Sequence, residues 1–306
     1  MQGHRAAFEA AGCRVSEGVD MSGMTTFHIG GAADWLVVAP SAQAVADVLR
    51  HCRESGLPVL LIGNGSDLLV SDEGIEGVVL RMDPMAQPVT VDEERHRLTA
   101  FGGTAINRVC CVARDHALTG MEFAYGIPGS VGGGVYMNAG AYGGQLSDVL
   151  VEATLLSPVD GTTRRLPVDQ LQLDYRHSLL METGEIAVEA TFQLQPGDRD
   201  TIAARMEELM AKRRSKQPLE YPSAGSFFKR PAGHFAAALI DQCGLKGFSI
   251  GDAQVSEKHA GFVVNRGQAT CRDMIALGRE VSRLVKETFG VTLEPEVELV
   301  GRNVHW

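Results

Sequence analysis

The segment PSAGSFFKRP (222–231) places a hydroxyl, that of Ser226, three residues before two adjacent cations, Lys229 and Arg230. A serine in this setting reads two ways. Serine and glycine are ordinary turn residues, and Ser226 is then only part of a bend. A hydroxyl held beside fixed positive charge can also give its proton to a strongly basic carbon, if the site is dry and the geometry fixed. Arg176 in YRHS (175–178) and Glu296 in EPEV (294–297) raise the same pair of readings. By composition they are surface charges; in a reaction they are a cation and a carboxylate. The run KRRSK (212–216) closes a helical stretch, where cations either complement the helix dipole in solvent or hold an anion.

Glycine points to a second kind of chemistry. There are 35 glycines, and two segments concentrate them. GNGSDLLV (63–70) follows an apolar run that reads as a buried strand. GIPGSVGGGVYMNAGAYGG (126–144) adds Ser130, Asn138 and Tyr142 to its glycines. Backbone N–H groups free of side chains can approach a phosphate or a flat ring. The alternative is a set of tight turns. Neither G-x-G-x-x-G nor G-x-x-x-x-G-K-[ST] occurs, which disfavours a doubly wound nicotinamide domain and a P-loop. Two such segments, one in each of two α/β lobes, suggest a dinucleotide.

The elements that position these residues are legible in outline. Residues 1–24 read as loosely structured, with one short helix. WLVVA (35–39) is a strand, and Ser41 caps a helix with Val45, Val48, Leu49 and Cys52 on one face, closed by Gly56. PVLLIG (58–63) and GVVLRM (77–82) are strands. RLTAFG (97–102) is another, after which Thr104 caps a helix with Ile106, Val109, Cys110 and Ala113 inward, stopping at Gly120. VLVEATLLSP (149–158) and IAVEATFQL (186–194) are strands, and VDGTT (159–163) reverses the chain. A helix runs from Thr201 to Lys216, and two more cover about 235–243 and 272–289, the last with Leu277, Val281, Leu284 and Val285 on one face. This divides the chain into lobes at 1–83 and 84–198 and a C-terminal domain at 199–306.

Composition narrows the function. The 306 residues carry a formal net charge of −10, unfavourable for non-specific nucleic-acid binding. No apolar run approaches the roughly 18 residues of a membrane span. MQGHRAAFEAAGCRV lacks the apolar core of a secretory signal. The six cysteines form no C-x-x-C pair and read as reduced thiols of a cytoplasmic protein, with no metal site and no nucleophile among them.

Taken in order, TTFHIGG (25–31), GNGSDLLV (63–70), GIPGSVGGGVYMNAGAYGG (126–144), YRHS (175–178), PSAGSFFKRP (222–231), GDAQVSEKHAGFVVN (251–265) and EPEVELVG (294–301) resemble the UDP-N-acetylenolpyruvoylglucosamine reductase family over nearly the whole chain. The resemblance implies an α+β protein: a two-lobe FAD-binding domain of the vanillyl-alcohol-oxidase/PCMH type and a C-terminal α+β substrate-binding domain. It implies reduction of UDP-N-acetylglucosamine enolpyruvate to UDP-N-acetylmuramate with NADPH, in peptidoglycan synthesis.

Carried over residue by residue, Arg176 and Glu296 stabilise an enolate and Ser226 donates the proton. Gly63, Asn64, Gly65, Ser66, Asp67 and Leu68 bind FAD, with Gly126, Ile127, Pro128, Gly129, Ser130, Gly133, Gly134, Asn138, Ala139 and Gly140. Tyr175, Arg214, Lys229 and His259 face the substrate. Relatives that attach FAD covalently carry His or Cys in these segments; neither segment does here, which implies non-covalent FAD. No nucleic acid, membrane or obligate protein partner is implied. His28 stands where many relatives have arginine, and Asp67 where asparagine is usual. The short interval after YRHS resembles the shorter, second subclass.

Overall fold

The computed structural model describes residues 2–306. They form two compact units, each discontinuous in sequence. The first contains the described residues up to Ser16, Trp35–Asn64 and Gly77–Lys212; the second contains Glu17–Asp34, Gly65–Glu76 and Arg213–Trp306. Among the described residues no helix is long and apolar enough to cross a membrane.

In the first unit, helix Gln2–Ala10 buries Phe8 edge-on to Trp35, with ring centroids 6.3 Å apart. This is the one short helix expected in residues 1–24; the expectation of an otherwise loose start is corrected by strand Arg14–Asp20. That strand is mostly exposed and polar, so no apolar alternation announces it. The sheet order is Arg14–Asp20, Ala32–Ala39, Ile75–Met82, Val59–Ile62. Val59–Ile62 runs parallel to its neighbour, Ile62 opposite Arg81. It is an edge strand and Val59 is 38% exposed, which corrects the reading of a buried strand. Helix Ala42–Ser55 follows expectation. The Ser41 hydroxyl accepts the Ala44 N–H, Gly56 closes the helix with φ +68°, and Val45, Val48, Leu49 and Cys52 are buried.

A five-stranded antiparallel sheet has the order Thr163–Pro167, Leu150–Leu156, Ile186–Gln193, Arg97–Phe101, Thr90–Asp92. Leu98, Ala190, Phe192 and Leu155 share its core with Ile106, Val109, Cys110 and Ala113. The helix carrying those last four, Ile106–Asp115, has Ala105 at its N-cap and no side-chain cap. The expected Thr104 cap is therefore absent. The Thr104 carbonyl instead accepts the Val131 N–H at 2.8 Å, and Ala105 pairs with Ser130. The helix also ends at Asp115, before Gly120.

In the second unit, Ser249–Ile250, Ala253–Val255 and Val263–Asn265 make an antiparallel sheet. Helix Cys271–Phe289 starts with a reciprocal cap between Thr270 and Asp273 and ends at Gly290, φ +71°. Its buried face includes Leu277, Val281 and Val285, packed with Phe227, Phe228 and Leu239. Leu68–Val70 pairs in parallel with Glu298–Val300.

Candidate active site

In the first unit, the start of the first glycine segment lies against the second. A Cβ built on Gly63 would stand 2.4 Å from the Ser130 hydroxyl. The Asn64 amide donates to the Pro128 carbonyl at 3.1 Å, and Arg81 donates to the Asn64 side-chain oxygen at 3.0 Å. Ser130 in turn accepts the Gly133 N–H and opens the short helix Val131–Tyr136. Gly126, with φ +90°, donates to the Asn107 side chain at 2.6 Å, and the Gly129 carbonyl accepts from Ile106.

The glycines of the second segment serve two purposes. Added Cβ atoms would meet the Ala187 carbonyl oxygen at 2.7 Å from Gly132, Leu146 at 2.8 Å from Gly134 and the Phe123 ring at 2.6 Å from Gly144. Those glycines are required by internal packing, so density of glycine alone overstates the ligand-facing surface. Gly133 meets only the Ser130 hydroxyl, at 3.3 Å.

Asn138 and Arg176 are linked through one turn. Asn138, with φ +42°, donates to the Asp174 carbonyl at 3.3 Å and accepts the Ser147 N–H at 3.0 Å. Asp174 and His177 exchange two backbone hydrogen bonds of 3.2 Å, leaving Tyr175 and Arg176 at the apex. Arg176 has φ +52°, in the turn position that a positive φ normally reserves for glycine or asparagine. Its guanidinium lies 6.0 Å from the centroid of the half-exposed Tyr175 ring. The fully buried Ser178 hydroxyl donates to the Tyr136 carbonyl at 2.7 Å, so the arginine turn is fastened to the second glycine segment at two points. Tyr142 also has positive φ, +54°. Backbone strain of this kind concentrates at functional positions.

The residues of this cradle fit a phosphate-bearing dinucleotide. Gly63 and Gly133 present bare backbone beside Ser130. The hydroxyl of Thr104, a residue only 1% exposed, has no hydrogen-bond partner within the protein.

In the second unit, the opening serine is not in a free turn. Ser226 pairs with Phe262, and the Phe227 N–H donates to the Gly261 carbonyl at 2.9 Å. On the other side Glu296 N–H donates to the Phe227 carbonyl at 2.8 Å, Phe228 pairs with Pro295, and Lys229 N–H donates to the Glu294 carbonyl. The ribbon 226–229 is thus held on both sides, and buried Phe227 and Phe228, edge-on at 5.0 Å, anchor it. Ser226 and Lys229 lie on the ribbon, Glu296 lies on a segment bonded to it, His259 lies two residues before Gly261, which is also bonded to it, and Glu296 is 6% exposed.

His259 accepts the Gly261 N–H on Nδ1 at 3.1 Å, so the neutral ring carries its proton on Nε2. Burial holds its pKa below the ordinary imidazole value, and the charge of Lys246 acts in the same direction. Lys258 donates to the Arg214 carbonyl at 2.6 Å, tying the last turn of helix Arg199–Lys216 to the His259 segment. The Asp67 carbonyl accepts the Glu298 N–H at 2.9 Å, and the Gly65 carbonyl accepts the Thr26 N–H at 3.0 Å. Ser66 and Asp67 form the turn that enters strand Leu68–Val70.

Arg81 carries no motif signal, and Lys258, though inside the segment 251–265, has no signal of its own; their importance depends on partners distant in sequence. The buried cysteines Cys13, Cys52 and Cys271 are placed against thiolate chemistry. Burial pushes Cys13 and Cys52 up to about 11 and Cys271 up to about 12. Among the described residues no group of three His, Cys, Asp or Glu side chains is placed to hold a metal ion.

Two family models match the chain: an FAD binding domain over residues 33–167, and the C-terminal domain of UDP-N-acetylenolpyruvoylglucosamine reductase over residues 217–300. The chain is 47% identical over 294 residues to the UDP-N-acetylenolpyruvoylglucosamine reductase of Lachnoclostridium phytofermentans, covering 95% of this chain and 94% of that one. It is 48% identical over 287 residues to the enzyme of the same name from Agathobacter rectalis, covering 90% and 91%. The crystal structure of the Thermus caldophilus UDP-N-acetylenolpyruvylglucosamine reductase superposes with a TM-score of 0.78 at 34% identity, over 94% of this chain and 99% of that one. The chain belongs to the UDP-N-acetylenolpyruvoylglucosamine reductase family and is an FAD-dependent oxidoreductase of peptidoglycan synthesis.

Proposed function

We propose that Ser226, Arg176 and Glu296 carry the reduction of UDP-N-acetylglucosamine enolpyruvate to UDP-N-acetylmuramate. FAD held by the glycine segments would supply, when bound, hydride transfer from NADPH to the terminal carbon of the enolpyruvyl group. Addition there leaves an electron pair on the neighbouring carbon, delocalised into its carboxylate as an enolate. Arg176 offsets that charge with a guanidinium carried at the apex of a hydrogen-bonded turn. Ser226 gives its proton to the carbanionic carbon; a hydroxyl is a weak acid, and the enolate is basic enough to take it. Glu296, buried beside the serine ribbon, acts with Arg176 in stabilising the enolate. The observation that carries this reading is the ribbon 226–229, which seats Ser226 and Glu296 on adjacent hydrogen-bonded segments through buried aromatic anchors.

Lys229, Arg214, Tyr175 and His259 are the proposed substrate contacts. The cations suit a diphosphate, and His259 offers a neutral donor at Nε2. The glycine segments are the proposed FAD contacts, without a covalent bond, and residues 1–83, 84–198 and 199–306 the proposed structural divisions. We place the enzyme in the cytoplasm with no obligate protein partner. The test is anaerobic. NADPH is expected to bleach the flavin absorbance, and the enolpyruvyl substrate to restore it; flavin that ignores that substrate contradicts the reading.

A further inference from the structure

Arg81 is a half-buried cation whose guanidinium has one hydrogen-bond partner among the described residues. It leaves strand Ile75–Met82 opposite Ile62, immediately before the first glycine segment. One of its nitrogens donates to the Asn64 side chain at 3.0 Å, and Asn64 passes the connection to the Pro128 carbonyl at 3.1 Å. Among the described residues no carboxylate lies within ion-pair distance of it. The acid whose charge it feels is Asp83, and Asp83 is taken by Arg14 at 2.7 Å. Burial of the guanidinium disfavours its charged form, yet arginine stays protonated in proteins. A desolvated cation with four donors to spare is costly unless an anion completes it. Its partner Asn64 belongs to the first glycine segment and bonds to Pro128 of the second, where the glycine backbone at Gly63 and Gly133 beside Ser130 fits a phosphate group.

We propose that Arg81 is a cofactor-binding residue whose guanidinium pairs with the pyrophosphate of FAD, held in orientation by Asn64. The inference rests on FAD being the cofactor of this chain. A planar fork with several N–H donors suits two phosphate oxygens, while a glycine cradle supplies N–H groups but no net charge. The acidic chain, at −10 overall, makes a local cation the more necessary for a dianionic group.

The test uses flavin-free full-length protein and direct binding, read by quenching of flavin fluorescence. Arg81→Met is expected to weaken FAD about tenfold to a hundredfold, the range of a charge-assisted contact, and to leave riboflavin, which lacks the pyrophosphate, bound as in the wild type. Wild-type FAD affinity is expected to fall with added salt more steeply than that of the variant. Arg81→Lys is expected to recover part of the loss. Far-UV circular dichroism and the melting temperature of the flavin-free forms identify a variant that fails to fold, and Arg81→Lys then carries the comparison alone. Arg81→Gln restoring full FAD affinity overturns the pairing, because an amide can hold Asn64 but carries no charge. Equal loss of riboflavin and FAD overturns it as well. Unchanged FAD affinity with weakened UDP binding by the loaded enzyme overturns it and assigns the cation to the substrate diphosphate. Wild-type protein that takes up no FAD contradicts the cofactor assignment itself along with this inference.

Discussion

The backbone N–H of Glu296 donates to the carbonyl of Phe227 at 2.8 Å, which seats a buried carboxylate on the segment beside Ser226. The bond is made by backbone, so changing the Glu296 side chain leaves the ribbon intact. Glu296→Gln keeps the volume and removes the charge. It is expected to lower kcat by about a hundredfold or more, in the range of a lost catalytic group, with the melting temperature nearly unchanged. Steady-state kinetics and thermal unfolding of the same preparation check both halves of the expectation.

Arg176 trades stability for position. Its φ of +52° costs a non-glycine residue about 1 kcal/mol or more. Arg176→Gly and Arg176→Ala both remove the guanidinium, and both are expected to lose activity. Only the glycine variant relieves the backbone. It is expected to be more stable than the alanine variant by about 1 kcal/mol, roughly 2 °C in melting temperature for a chain of this size. Equal melting temperatures for the two would show that the turn is not strained.

His259 gives stability a pH dependence whose sign follows from its burial. The folded protein favours the neutral ring, so its pKa lies below the unfolded value of about 6.5. Between those two values the unfolded chain binds the extra proton, and stability falls as pH is lowered from about 6.5 through the folded pKa. Above 6.5 both states are neutral and the contribution is constant. His259→Gln removes this component. The wild type is expected to lose more melting temperature than the variant between pH 7.5 and pH 5.5.

The two roles of glycine separate by experiment. Gly132→Ala drives a Cβ to 2.7 Å from the Ala187 carbonyl oxygen, deep in the first unit. It is expected to destabilise the flavin-free fold by about 1–3 kcal/mol. Gly63→Ala meets the Ser130 hydroxyl, a side chain that can rotate at the cost of its cap on Gly133. It is expected to weaken FAD binding with a smaller effect, about 1 kcal/mol, on stability of the flavin-free form. Denaturant unfolding without flavin and flavin titration resolve the two.

Local signals carried much of this structure. The helix Ala42–Ser55 has a Ser41 cap, an inward apolar face and a glycine stop, all written in adjacent residues. The positions of Ser226 and Glu296 also follow from motif order. Other features depend on pairings between distant segments, which no local pattern encodes. Val59 is exposed because its strand falls at a sheet edge. Thr104 does not cap its helix because its carbonyl is claimed by Val131 and the cap position falls to Ala105. Strand Arg14–Asp20 is polar and exposed, so burial leaves no trace in its residue types. Arg81 has an unremarkable strand setting and gains meaning only from Asn64, seventeen positions earlier.

The central claim is that Ser226 supplies the proton, and the oxidative half-reaction tests it most directly. Ser226→Ala, reduced anaerobically with NADPH, is expected to lose its flavin absorbance at the wild-type rate. On addition of the enolpyruvyl substrate, UDP-N-acetylmuramate is expected to form at least a hundredfold more slowly than in the wild type. Product formed by Ser226→Ala at the wild-type rate would contradict the assignment and return Ser226 to a structural residue of its ribbon.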